Sequence, residues 1–125
     1  MAQILLVEDN RHNQNLFTTA LRHYGHDVRL AEDGDAALKA VEGARPDLVV
    51  LDLSIPKIDG WTVARRLRDG PKTSDLPILA LTAHAMKGDK ERAIEAGCTA
   101  YLSKPVSPRE LRRRIEQLLL ASRAA

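Results

Sequence analysis

Short runs rich in Val, Ile and Leu recur five times along the chain, over Gln3 to Val7, Asp27 to Ala31, Asp47 to Leu53, Pro77 to Thr82 and Thr99 to Ser103. Between them, apolar positions fall at helical intervals, as in Leu16, Ala20, Leu21 and Tyr24, or Leu111, Ile115, Leu118 and Leu119. The pattern predicts strand and helix alternating five times. The first, third and fourth runs are continuously apolar (Ile4-Leu5-Leu6-Val7, Leu48-Val49-Val50-Leu51, Ile78-Leu79-Ala80-Leu81), as strands covered by helices on both faces are. Val28-Arg29-Leu30 alternates instead, which suits a half-exposed edge strand.

Punctuation agrees with this division. Gly25 and Gly97 follow helical patterns where a left-handed cap is needed, and Pro46, Pro77 and Pro108 stand at element starts. A βα alternation of this kind predicts an α/β fold, a doubly wound parallel sheet with right-handed crossovers. Ligands of that class bind beyond the carboxyl ends of the strands. No repeat, low-complexity tract or linker divides the 125 residues, so residues 1–125 are expected to form one domain.

Composition narrows the function classes. With 44% hydrophobic but 3% aromatic residues, the core is expected to be built from Leu, Val, Ile and Ala. The formal charge of +2 predicts neither nucleic-acid nor membrane binding. The Arg65-Arg66 and Arg112-Arg113-Arg114 clusters lack an interleaved aromatic stripe or helix-turn-helix and are read as solvated faces. The apolar runs fall far short of the roughly 20 residues that span a bilayer, and Val7 leads straight into acidic residues with no signal-peptide pattern. The single Cys98 excludes an internal disulfide and fits a reducing cytoplasm as a small buried residue. His12, His23, His26 and His84 form no Zn²⁺ pattern with it and are expected at the surface, while Trp61 is expected to pack. Gly70-Pro71-Lys72-Thr73 lacks the spacing of a nucleotide phosphate loop, so ATP is not the expected donor.

The predicted strand ends carry an uneven chemistry. Glu8 and Asp9 follow the first strand, Asp52 closes the third, Thr82 closes the fourth and Lys104 follows the fifth. If the first and third strands are neighbours, about 4.8 Å apart, the Asp9 and Asp52 carboxylates approach within several Å. Two ionised carboxylates at 4 Å cost about 4 kcal/mol at an effective dielectric near 20, so the cluster wants a cation. Mg²⁺ takes near-octahedral oxygen ligands, commonly one or two carboxylates, waters and a phosphate oxygen. A carboxylate can itself accept a phosphoryl group, and transfer then depends on positioning and charge neutralisation. Lys104 would meet a phosphate oxygen as a point charge, and Thr82 could donate a hydroxyl hydrogen bond to another.

The residues that carry this chemistry resemble the receiver domains of two-component response regulators (CheY-like). The matching stretches are Ile4-Leu-Leu-Val-Glu-Asp-Asn10, Pro46-Asp-Leu-Val-Val-Leu-Asp52, Ile55-Pro-Lys-Ile-Asp-Gly60, Leu81-Thr-Ala83 and Ala96-Gly-Cys-Thr-Ala-Tyr-Leu-Ser-Lys-Pro105. The run Thr82 to Arg92 further resembles single-domain regulators of the DivK type. The resemblance implies a flavodoxin-like five-stranded sheet of order 2-1-3-4-5 with five helices, the order of the chemotaxis receiver. It implies that Asp52 is phosphorylated, that Asp9 ligates Mg²⁺ with Glu8 assisting, that the Ser54 backbone carbonyl completes the metal site, and that Lys104 holds the phosphoryl group. It also implies a cis Lys104-Pro105 peptide and a switch through Thr82 and Tyr101. Ser54 and His84 occupy positions that tune phosphate lifetime in the family. Ile55 and Ile58 depart from the common Met without threatening activity.

A cytoplasmic receiver is therefore expected, a monomer or weak dimer whose partners are a histidine kinase or histidine phosphotransfer protein and a downstream protein target. With the chain ending at Ala125, a stand-alone form without a DNA-binding effector is expected. It is expected to be no enzyme beyond phosphorylating and dephosphorylating itself. Two rivals exist. An aspartate-nucleophile phosphatase of the haloacid dehalogenase type would want Asp-x-Asp, where this chain has Asp52-Leu53-Ser54. A phosphorylation-silent interaction module would keep the fold alone.

Overall fold

The computed structural model describes residues 2–83 and 86–124. Strands and helices alternate as β1 (Gln3–Val7), α1 (Arg11–His23), β2 (Asp27–Ala31), α2 (Gly34–Gly43), β3 (Leu48–Asp52), α3 (Gly60–Asp69), β4 (Ile78–Thr82), α4 (Asp89–Ala96), β5 (Ala100–Ser103) and α5 (Pro108–Ala124). The strands pair in parallel in the order β2-β1-β3-β4-β5. Fold class and strand order are those expected, and β3, β4 and β5 each begin one residue later than the apolar runs suggest.

The continuous apolar runs are explained by burial on both faces. Successive side chains point to opposite sides of a strand. Leu5, Val7, Val49, Leu51, Ile78 and Ala80 pack with Ala37 and Val41 of α2, Val63 and Leu67 of α3, and Ala93 of α4. Their neighbours Ile4, Leu6, Leu48, Val50, Leu79 and Leu81 pack on the other face with Phe17 and Leu21 of α1 and Leu111, Ile115 and Leu119 of α5. At the margin, β2 buries Val28 but leaves Leu30 44% exposed.

Local signals set the boundaries. The side chains of Asn10, Asp33 and Asp59 accept the N–H of Asn13, Ala36 and Thr62 and so cap α1, α2 and α3. Gly25 and Gly97 adopt left-handed backbone as expected, and Lys104-Pro105 is cis. Two sequence expectations need correction. The buried face of α1 is Gln14, Phe17 and Leu21, whereas Leu16 (40%) and Tyr24 (38%) are exposed, because the covered face follows the packing on β2 and α5. His26 is half-buried rather than at the surface, its Nδ1 accepting the N–H of Ala2 at 3.2 Å.

Candidate metal and phosphoacceptor site

Parallel register brings the strand ends together. Val7 stands opposite Leu51 and Asp52 opposite Leu81, so Glu8 and Asp52 leave the sheet side by side. Thr82 stands opposite Ser103 at the ends of β4 and β5, and the Lys104 N–H donates to the Thr82 carbonyl at 2.7 Å, fixing where the lysine departs.

Asp52 is 4% exposed and Glu8 is fully buried. The Lys104 ammonium donates to Glu8 Oε1 at 2.8 Å and to Asp52 Oδ2 at 2.9 Å. The remaining oxygens are also engaged, Asp52 Oδ1 by the Ser54 N–H at 2.9 Å and Glu8 Oε2 by the Asn10 N–H at 3.0 Å. Asp9 is exposed, and one carboxylate oxygen from each of Glu8, Asp9 and Asp52 lies within 4.8 Å of the others. Thr82 is 4% exposed at the same rim. Ser54 itself is exposed, and Tyr101 is half-buried on β5. The Tyr101 hydroxyl is buried without a hydrogen bond among the described residues. Burial, with the charge of Asp89, raises its pKa, which the nearby Ser103 side chain only tempers.

Electrostatics follow from this burial. Desolvation is the largest influence on Glu8 and, with the charge of Asp52, raises its pKa against the pull of Lys104 and the Asn10 N–H. Burial alone would lower the pKa of Lys104, but its bonds to Glu8 and Asp52 and their charges outweigh that and raise it. When all are ionised, three carboxylates share one ammonium, leaving uncompensated negative charge on hard oxygen donors. That donor set fits a divalent ion such as Mg²⁺.

Beside the acids runs a cavity of about 470 Å³ lined by His12, Asn13, Leu16, Lys104, Pro105 and Val106, among others. Lys104 and the exposed side of α1 share its walls.

A doubly wound sheet carrying this acid, hydroxyl and ammonium set at one rim is a signalling receiver. The chain matches the response regulator receiver domain over residues 4–116 and belongs to that family. It is 38% identical over 104 residues to the polar-differentiation response regulator DivK of Brucella anthropi, covering 83% of this chain and 85% of that protein. Among solved structures it resembles the receiver domain of sensor histidine kinase PA1611 from Pseudomonas aeruginosa, described with a magnesium ion coordinated in its active site cleft. That match is at 38% identity and TM-score 0.87, covering 95% of this chain and 98% of the other. The chemotaxis response regulator CheY4 of Vibrio cholerae matches at 28% identity and TM-score 0.89, covering 94% and 98%.

Among the described residues, Glu8, Asp9, Asp52, Thr82 and Lys104 stand at this rim, Ser54 lies on the loop beside it, and Tyr101 lies along β5. His84 lies outside the described residues. Sequence reading passed over Asn10 and Gln14. Gln14 is 7% exposed, and its Nε2 donates to the Glu8 carbonyl at 2.7 Å. An amide one turn before Phe17, on the face that buries Phe17 and Leu21, is the signal that could have found it.

Proposed function

We propose that the protein is the phosphoacceptor receiver of a two-component phosphorelay, with Asp52 as the residue phosphorylated in a Mg²⁺-dependent reaction. The observation that carries this reading is the Lys104 ammonium bonded to both Glu8 and Asp52, beside Asp9. An Asp52 carboxylate oxygen attacks the phosphorus of a phosphohistidine on a histidine kinase or phosphotransfer protein. The O–P bond forms as the N–P bond breaks, and the imidazole leaves with the electron pair. Asp9, Asp52 and the Ser54 carbonyl would hold Mg²⁺, with Glu8 assisting, and the ion would neutralise the phosphoryl oxygens during transfer. Lys104 meets one of those oxygens and Thr82 donates to another.

The phosphoryl group adds roughly −1.5 to −2 charges and favours one of two conformations, read out through Thr82 and Tyr101 by a downstream protein. A cytoplasmic location belongs to the same reading, in keeping with the buried free thiol of Cys98. The only chemistry assigned is gain and loss of the protein's own phosphate.

Acetyl phosphate with and without Mg²⁺, followed by intact-mass measurement, tests this. One phosphoryl group should be added only with Mg²⁺ and not to Asp52→Asn. Labelling that survives chelation or that substitution overturns the reading.

A further inference from the structure

The loop from Leu53 to Asp59 carries Ser54, whose carbonyl the Mg²⁺ reading requires, and its far side is held by a helix that contributes no acid to the site. Gly34, the first residue of α2, donates its N–H to the Pro56 carbonyl at 3.3 Å. A Cβ on Gly34 would stand 1.9 Å from the Ile58 carbonyl oxygen and 2.7 Å from the Ile58 carbonyl carbon and Cβ. The two carbonyl contacts are with backbone, so only a residue without a side chain lets α2 come this close.

A neighbouring contact reinforces the first. Asp33, which caps α2 through the Ala36 N–H, also lies 3.5 Å from Lys57 Nζ. Lys57 is the one described non-glycine residue in left-handed backbone, with φ 67°, a conformation that persists where surroundings over-determine it. The other end of the loop is pinned in the same manner, since a Cβ on Gly60 would meet Leu53 Cα at 2.5 Å and the Asp52 carbonyl oxygen at 2.8 Å. Between these two anchors the Ser54 N–H donates to Asp52 Oδ1 at 2.9 Å, tying the loop to the acid cluster.

We propose that Gly34 is a positioning residue for the metal site, its close approach to Pro56 and Ile58 holding the loop so that the Ser54 carbonyl faces the acids. The proposal rests on the reading of Asp52, Asp9 and Ser54 as Mg²⁺ ligands. Mg²⁺ demands near-ideal octahedral geometry at about 2.0–2.1 Å, so a loop displaced by a few tenths of an ångström loses affinity. Coupling is reciprocal: if the Gly34 contact tightens the metal site, the metal tightens the Gly34 contact.

Calorimetric Mg²⁺ titration of the wild type, Asp52→Asn and Gly34→Ala tests this, with amide exchange of the metal-free and Mg²⁺-saturated wild type. The expected result is binding by the wild type, loss in Asp52→Asn, and affinity weaker by roughly tenfold or more in Gly34→Ala with an unchanged far-ultraviolet spectrum. Exchange at Gly34 should slow when Mg²⁺ binds. Equal affinity in Gly34→Ala and the wild type overturns the positioning role. Should Gly34→Ala fail to fold, the wild-type exchange decides alone: a Gly34 amide indifferent to Mg²⁺ while Ser54 responds overturns it. No binding by the wild type defeats the metal reading, and the positioning role with it.

Discussion

Lys104 Nζ lies 2.8 Å from Glu8 Oε1, so a lysine just beyond the last strand neutralises a fully buried carboxylate 96 residues earlier in the chain. The pair is part of the fold as well as of the site. Removing one partner of a buried pair costs about 3–5 kcal/mol, because a charge is left without compensation.

Lys104→Met should therefore lower stability by about 3 kcal/mol at neutral pH and recover part of it in acid. Burial already holds the folded pKa of Glu8 above its unfolded value, and loss of the ammonium raises it further. A carboxyl raised in the folded state binds more protons there than when unfolded, so stability grows as pH falls through that folded pKa. Urea denaturation at pH 5 and pH 8 checks this, and a variant equally destabilised at both would count against a dominant Glu8 contribution.

Mg²⁺ should stabilise the folded chain. An ion that binds only the native state contributes about 2.7 kcal/mol at a hundredfold excess over its dissociation constant. Thermal unfolding with Mg²⁺ and after chelation should differ for the wild type and coincide for Asp9→Ala, which removes the exposed acid of the cluster.

Leu16 lies on the exposed side of α1 and lines the same cavity as Lys104. Leu16→Glu should change stability by less than about 0.5 kcal/mol, as exposed substitutions usually do. It should slow phosphotransfer from a histidine phosphotransfer partner by about tenfold, equivalent to about 1.4 kcal/mol, while labelling by acetyl phosphate keeps its rate. Equal slowing with both donors would move the effect from docking to the site itself.

Cys98 is 4% exposed, and burial pushes its thiol up to about 11 against the opposing charge of Arg68. Between the unfolded value near 9 and that folded value, the folded state holds the proton more tightly, so stability falls as pH rises through the window. The slope is at most about 1.4 kcal/mol per pH unit. Cys98→Ala should flatten the decline measured by urea denaturation from pH 8.5 to 10.5, and an unchanged slope would count against Cys98 as its source and leave Tyr101, raised from 10.0, to account for the upper end of the window.

Much of the site is legible in one dimension because strand ends are. Asp52 closes a run that reads as a buried strand, Glu8-Asp9 follows a second and Thr82 closes a third, so their convergence follows from sheet geometry. The helix faces were harder. Leu16, Ala20 and Tyr24 share one side of α1 as convincingly as Phe17 and Leu21 share another, and periodicity alone does not say which side is covered. Periodicity gives no sign that Gln14 is buried, for the same reason. Asp33, Gly34 and Lys57 read as ordinary turn and cap residues, since their meeting joins segments more than twenty residues apart.

The sequence by itself determined the alternating elements, the helix caps and the chemistry presented at the rim, because these depend on neighbours within a few residues. Only the tertiary structure decided that Glu8 is buried on Lys104 while Asp9 faces solvent, which face of α1 is covered, and that α2 braces the loop after Asp52. Those outcomes turn on which distant surfaces exclude water from a given side chain, and a linear pattern specifies that a face is apolar without specifying what will lie against it.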